Sequence, residues 1–191
     1  MLTKEQKVEF ASLRVEIINL NIIVCCYIRK MNRLGFLLKN VSRHDLFEEF
    51  TALRYLENGV ILHLTNLDDE SSNYSFRKIR KAVHENIKEE KTLKQFNKRL
   101  ESYRKNVNGI KTKHRNKRIA HLNYLEDPGI YDFLSFDSYL KPLIIQANEL
   151  GDLIWGEKIN YKFKLGTVEG ILDFREIFEN LKCDYKSQEG F

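Results

Sequence analysis

The sequence predicts an all-α fold, a bundle of about five or six helices around one core. Apolar residues recur at steps of three and four through most of the chain, the mark of helices with one buried stripe. Only two prolines interrupt 191 residues, so the helices are expected to be long. With 42% of residues hydrophobic and 31% charged, the chain can bury a core and still solvate its outer faces. Residues 1–191 are expected to form a single domain, with a core over 4–125 and C-terminal helices over 136–183 packing on it.

Leu13, Ile17, Leu20, Val24, Ile28 and Met31 give the first stripe, predicting a helix over residues 4–32 that Gly35 ends. The most apolar run, 17–28, is broken by Asn19 and Asn21 and is shorter than the roughly 20 residues that cross a bilayer, which predicts a core helix and no membrane partner. Leu46, Phe50, Leu53, Val60, Leu64 and Leu67 form the second stripe, opened by Ser42 as N-cap and stopped by the polar cluster 68–73. Residues 73–86 read as a short basic helix held by Phe76, Ile79 and Val83. Leu93, Phe96, Leu100, Tyr103, Val107 and Ile110 then keep a seven-residue repeat in the longest helix. The same register runs on into His114, Lys117 and His121, so the seam turns from apolar to basic, with Gly109 as a place to bend. Asp127-Pro128-Gly129 is a turn signal that ends this helix near Leu122 or Leu125. Tyr139, Leu143, Ala147, Leu150 and Ile154 mark another helix with Pro142 near its first turn. Thr167 is expected to open the last one, through Ile171, Phe174, Ile177, Phe178 and Leu181. Residues 161–165 alternate, over too few positions to establish a sheet.

Charge is unevenly spread. Residues 77–118 hold sixteen Lys/Arg against four Glu, a net +12, and the remainder carries −7. A basic belt of this kind is the footprint of a phosphate-rich partner, since each neutralised phosphate releases condensed counterions; a solvated lysine-rich face is the alternative. The belt ends in Lys113-His114-Arg115-Asn116-Lys117-Arg118-Ile119-Ala120-His121-Leu122, four cations, an amide and two imidazoles in ten residues. His121 exchanges a proton near neutral pH and is the candidate general acid or base. Arg115 offers a planar fork of donors to phosphate oxygens, suited to charge that develops during reaction. Asn116 is expected to orient Arg115, His121 or a ribose hydroxyl. His114, Lys117, Arg118, Lys113 and Lys111 are the candidate RNA contacts. On an ideal α-helix the six-residue step from Arg115 to His121 is a rotation of about 600°, leaving the two about 120° apart. One helix cannot aim both at one atom, whereas two helices across a two-fold axis can.

The run Arg115-Asn116-Lys117-Arg118-Ile119-Ala120-His121 resembles the signature of the HEPN superfamily, small helical domains in which an Arg is followed by four to six residues and then a His. The gap here is five, the polar residue after the Arg is Asn116, and the wider phrase is similar to that of the subgroup tied to phage abortive infection. The resemblance is close over the motif helix and is one of helix order elsewhere. It implies an endoribonuclease that needs no metal and no cofactor, works as a homodimer with a shared cleft, and belongs to a defence or toxin–antitoxin module, with RNA as substrate and an antitoxin protein as a further partner. Where many toxin members carry a Tyr two positions after the His, this chain has Asn123, and Tyr124 follows; regulation by modifying that tyrosine is therefore not expected.

Two other readings stand beside this one: a helical RNA- or nucleotide-binding module without chemistry, and an interaction protein whose belt docks an acidic partner. The chain has no Gly-rich phosphate loop, no Gly-x-Ser-x-Gly, and no Cys or His spacing suited to zinc. Cys25, Cys26 and Cys183 form no disulfide framework, and the N-terminus lacks a secretory pattern; a cytoplasmic location is expected. His44, His63 and His84 show no partner pattern.

Overall fold

The computed structural model describes residues 2–120 and 133–180, the side chains of Lys117, Arg118, Ala120 and Asn180 excepted. Among these the fold is a mostly all-α bundle. Six α-helices run in order: α1 Lys4–Asn40, α2 Arg43–Asn66, α3 Phe76–Asn86, α4 Glu90–Ile110, α5 Lys141–Trp155 and the short α6 Glu176–Asn180. Two π-helical segments, Lys111–Ala120 and Phe136–Leu140, extend α4 and precede α5. One antiparallel hairpin, β1 Tyr161–Leu165 and β2 Val168–Leu172, lies between α5 and α6.

Local chemistry sets the helix starts. Thr3 and Ser42 each close a capping box, with Gln6 and Asp45 returning a bond to the cap amide, and Ser75 caps α3 through Lys78. The stop expected at Gly35 does not occur. α1 continues to Asn40, because an isolated glycine costs a helix only about 1 kcal/mol while Leu34 on the preceding turn is buried. The Asn40 amide then donates to the Phe36 carbonyl at 2.7 Å and the helix ends.

The predicted stripes form the core. Leu13, Ile17, Leu20, Val24 and Ile28 of α1 pack with Leu53, Val60 and Leu64 of α2, with Phe76, Ile79 and Val83 of α3, and with Phe96, Tyr103 and Val107 of α4. α5 adds Leu143, Ala147 and Leu150. Asn21, which interrupts the apolar run, is buried and exchanges two 2.8 Å bonds with Asn148 of α5, so its polarity fixes the register of the two helices. An 18-residue window of α1 reaches a mean hydropathy of 1.6, enough by length and composition to cross a membrane; 44% of it is buried inside the fold.

The C-terminal part differs from expectation. Thr167 opens no helix: Gly166 adopts φ +63°, the chain reverses, and Tyr161 pairs with Leu172 through to Leu165 with Val168. Ile171 falls in β2, and α6 supplies only Ile177 and Phe178 to the core. Val168 and Ile171 are β-branched and favour strand, and a hairpin turn at Gly166 competes with the helix. Arg175, 6% exposed, donates to both Asp152 oxygens at 2.9 Å and to Glu179 at 3.0 Å, tying this region to α5. The Asp127-Pro128-Gly129 turn and the expected helix end near Leu122 or Leu125 lie outside the described residues, as does Cys183.

Candidate functional site

The backbone widens where the belt meets the motif. From Lys111 the hydrogen bonds step from i→i+4 to i→i+5, a winding that recurs at functional positions. The Thr112 hydroxyl takes the Asn108 carbonyl at 2.9 Å, competing for the oxygen to which an α-helix would direct the Thr112 amide. Ile110 is buried and Ile119 is partly so against the core, which seats the segment on α2. The apolar seam therefore ends at Ile110. The α-helical wheel that separates Arg115 from His121 by about 120° does not describe this segment.

Arg115 is held rather than free. Its Nη1 donates to Asp69 Oδ2 at 2.9 Å, with the guanidinium side chain 25% exposed, and Lys111 Nζ lies 4.0 Å from the same oxygen. Asp69 sits in the loop joining α2 to α3, and that loop is well determined by its own bonds. Asp69 Oδ1 accepts from the Ser71 amide at 3.1 Å and hydroxyl at 2.8 Å. The Phe76 amide donates back to the Leu67 carbonyl at 2.9 Å. Burial alone would raise the Asp69 carboxyl, yet the bonds from Ser71 and Arg115 and the charge of Lys111 bring it down to about 2.

Its neighbour moves the other way. Asp68 is 5% exposed and its Oδ1 has no hydrogen-bond partner among the described residues. Burial pushes this carboxyl up, against the opposing charges of Lys111, Arg77 and Arg104. Two adjacent carboxylates driven apart in acidity beside a row of cations are a pattern found at reactive sites. Tyr103 lies within reach of the Asp68 charge. It is fully buried, donates to the Leu64 carbonyl at 2.6 Å, and is pushed well above its ordinary value by burial and then by Asp68 and Glu16.

Of the expected site residues, Arg115 and Lys111 converge on Asp69. Asn116 and Lys113 are exposed and His114 is half-buried. Arg115 is bonded by Asp69 Oδ2. Lys117 and Arg118 lie on the π-helical backbone, while His121 and Tyr124 lie outside the described residues. Arg80 on α3, Lys88 in the α3–α4 connection, and Lys91, Lys98 and Lys105 on α4 are exposed. Lys91 to Lys105 covers about 20 Å of helix axis.

Sequence reasoning missed the acidic half of the site. Asp68-Asp69-Glu70 is the one run of three acidic residues in the chain, and set against the most basic run it is a pairing signal; it was legible only as a helix stop. The histidines without an expected pattern have partners as well. His63 Nδ1 lies 2.9 Å from Glu16 Oε1, His84 Nε2 lies 3.1 Å from Asn97 Oδ1, and His44 Nδ1 lies 3.5 Å from Glu48 Oε1. Among the described residues no three His, Cys, Asp or Glu side chains are grouped to hold a metal ion. No protein-family model, curated protein or solved structure matches the chain.

Proposed function

We propose that the chain is a metal-independent endoribonuclease of a defence or toxin–antitoxin module, cutting RNA at a site composed by two protomers. The observation that carries this reading is the Arg115 guanidinium, partly exposed and aimed by Asp69, inside a basic segment whose sequence pairs it with His121. An imidazole takes the proton of the ribose 2′-hydroxyl, the new oxygen–phosphorus bond forms, and Arg115 neutralises the anionic phosphorane. The bond to the 5′-oxygen breaks as an acid returns a proton to it, leaving a 2′,3′-cyclic phosphate and a free 5′-hydroxyl. His121 is assigned to proton transfer, Arg115 to charge stabilisation, Asn116 to the ribose, and His114, Lys111, Lys113, Lys117 and Arg118 to backbone phosphates.

The decisive experiment incubates purified protein with labelled single-stranded RNA in the presence of a chelator, beside His121→Ala, with sedimentation of the same samples. Cleavage to cyclic-phosphate ends that falls at least a hundredfold in the variant, by a dimeric protein, is the expected outcome. Unchanged cleavage by His121→Ala removes the assignment. One observation favours a second reading, a helical RNA- or nucleotide-binding module without chemistry: the Arg115 charge already has a carboxylate at 2.9 Å. Salt-sensitive RNA binding with no product selects it.

A further inference from the structure

An open cleft of about 410 Å³ lies on α1, lined by Ala11, Ser12, Val15, Glu16 and Asn19 and walled by Tyr74 of the α2–α3 loop. Its volume falls in the range of small-molecule sites. The lining combines a half-exposed aromatic ring, Tyr74 at 46%, with a buried carboxylate, Glu16 at 7%. Glu16 Oε1 is engaged by His63 Nδ1 at 2.9 Å and by the Asn66 amide at 3.4 Å. Its Oε2 has no hydrogen-bond partner among the described residues. A carboxylate on the wall of a cleft with one oxygen left to solvent is an acceptor that the N–H donors of a ligand can take up. It repels a phosphate. The complementary ligand is flat, stacks on a ring and presents amino protons at its edge, which describes adenine, guanine or cytosine in preference to uracil, whose N3–H donor is flanked by two carbonyl oxygens that a carboxylate repels.

The cleft is joined to Arg115 through Asn66. The Asn66 side chain donates to Glu16, and its carbonyl accepts from the Asp69 amide at 3.1 Å. Tyr74 lies five positions after Asp69, a reach of at most about 18 Å. One short loop therefore carries the aromatic wall at one end and the carboxylate that aims Arg115 at the other.

We propose that the cleft between α1 and Tyr74 is a nucleobase subsite, stacking an amine-bearing base on Tyr74 with its amino group donating to Glu16, and so setting base preference. As a feature of RNA recognition this rests on the function proposed above. The test measures equilibrium binding of single-stranded oligo-A, oligo-C and oligo-U, and of AMP, GMP, CMP and UMP, to the full chain and to Tyr74→Ala, Tyr74→Phe and Glu16→Gln. Amine-bearing oligonucleotides should bind more tightly than oligo-U, Tyr74→Ala should weaken them about tenfold, Tyr74→Phe should restore binding, and Glu16→Gln should narrow the preference over uracil. Tyr74 is exposed, so its variants fold even if Glu16→Gln does not. Wild-type affinity and base order in Tyr74→Ala overturn the subsite. Mononucleotides bound as tightly as the matching oligonucleotide overturn its assignment to RNA. Binding is read without cleavage: a failed nuclease reading leaves the subsite intact, and a nuclease whose base preference ignores Tyr74→Ala keeps its chemistry and loses the subsite.

Discussion

At the scale of single residues, Asp69 joins the motif to the fold. Its carboxyl stands at about 2 against an ordinary 3.8, so the folded state holds the ionised form more tightly than the unfolded chain does. A depressed carboxyl contributes stability that is fully present above the unfolded value and is lost as pH falls through the folded one. With the side chain 19% exposed, the shift corresponds to about 2 kcal/mol at pH 7. Asp69→Asn should therefore destabilise the protein by about that much in urea titrations at pH 7, and by roughly half of it at pH 3. A penalty that does not change between those two values would show that Asp69 acts through packing instead of charge. Arg115 could be singled out in the sequence because it lies in the most basic run of the chain. Asp69 could not, since a loop carboxylate 46 positions earlier carries no periodicity that points across the fold.

At the scale of elements, the helical stripes were legible and the hairpin was not. A stripe of three-and-four spacing reports one buried face directly, as Leu13 to Ile28 and Leu93 to Ile110 do. The hairpin buries almost nothing: Leu165 is 78% and Val168 58% exposed, so its apolar residues mimic a helical stripe without marking a core. Helix approach was equally silent. Gly59 of α2 faces the Ile23 side chain of α1, and a Cβ at Gly151 of α5 would stand 2.9 Å from Ile17 and 2.6 Å from Ile159. These two glycines let α2 and α5 close on α1. Because the obstructing atoms are ends of flexible side chains, Gly59→Ala should change stability by no more than about 1 kcal/mol, the helix propensity gained offsetting the crowding. Gly59→Leu overfills the same contact and should cost about 1–3 kcal/mol in thermal or urea unfolding. Equal stability of Gly59→Leu and the parent would mean that the α1–α2 spacing is not set by this residue.

At the scale of the whole molecule, the net +5 conceals a separation of charge that the fold turns into a surface. α3 and α4 carry the belt on their outward faces while Phe76, Ile79, Phe96 and Tyr103 anchor them inward. Several belt cations pair with acids, among them Lys94 with Glu90 at 2.6 Å and Arg99 with Glu149 at 3.2 Å. Arg80, Lys88, Lys91, Lys98, Lys105 and Lys113 have no ion-pair partner among the described residues. Exposed ion pairs contribute little to stability, so the unpaired cations are retained at little benefit to the fold and at some cost in mutual repulsion. Under the proposed function these cations act in association with RNA. If about five of them neutralise RNA phosphates, the logarithm of affinity should fall against the logarithm of salt with a slope near −3.5, a loss of about a hundredfold between 50 and 200 mM. Replacing Lys91, Lys98 and Lys105 together by Gln should flatten the slope by about 2. It should do so without moving the unfolding midpoint by more than a degree or two, because none of the three touches the core. A slope that the triple variant leaves unchanged would place the RNA on some other surface and reduce the belt to a solvated face.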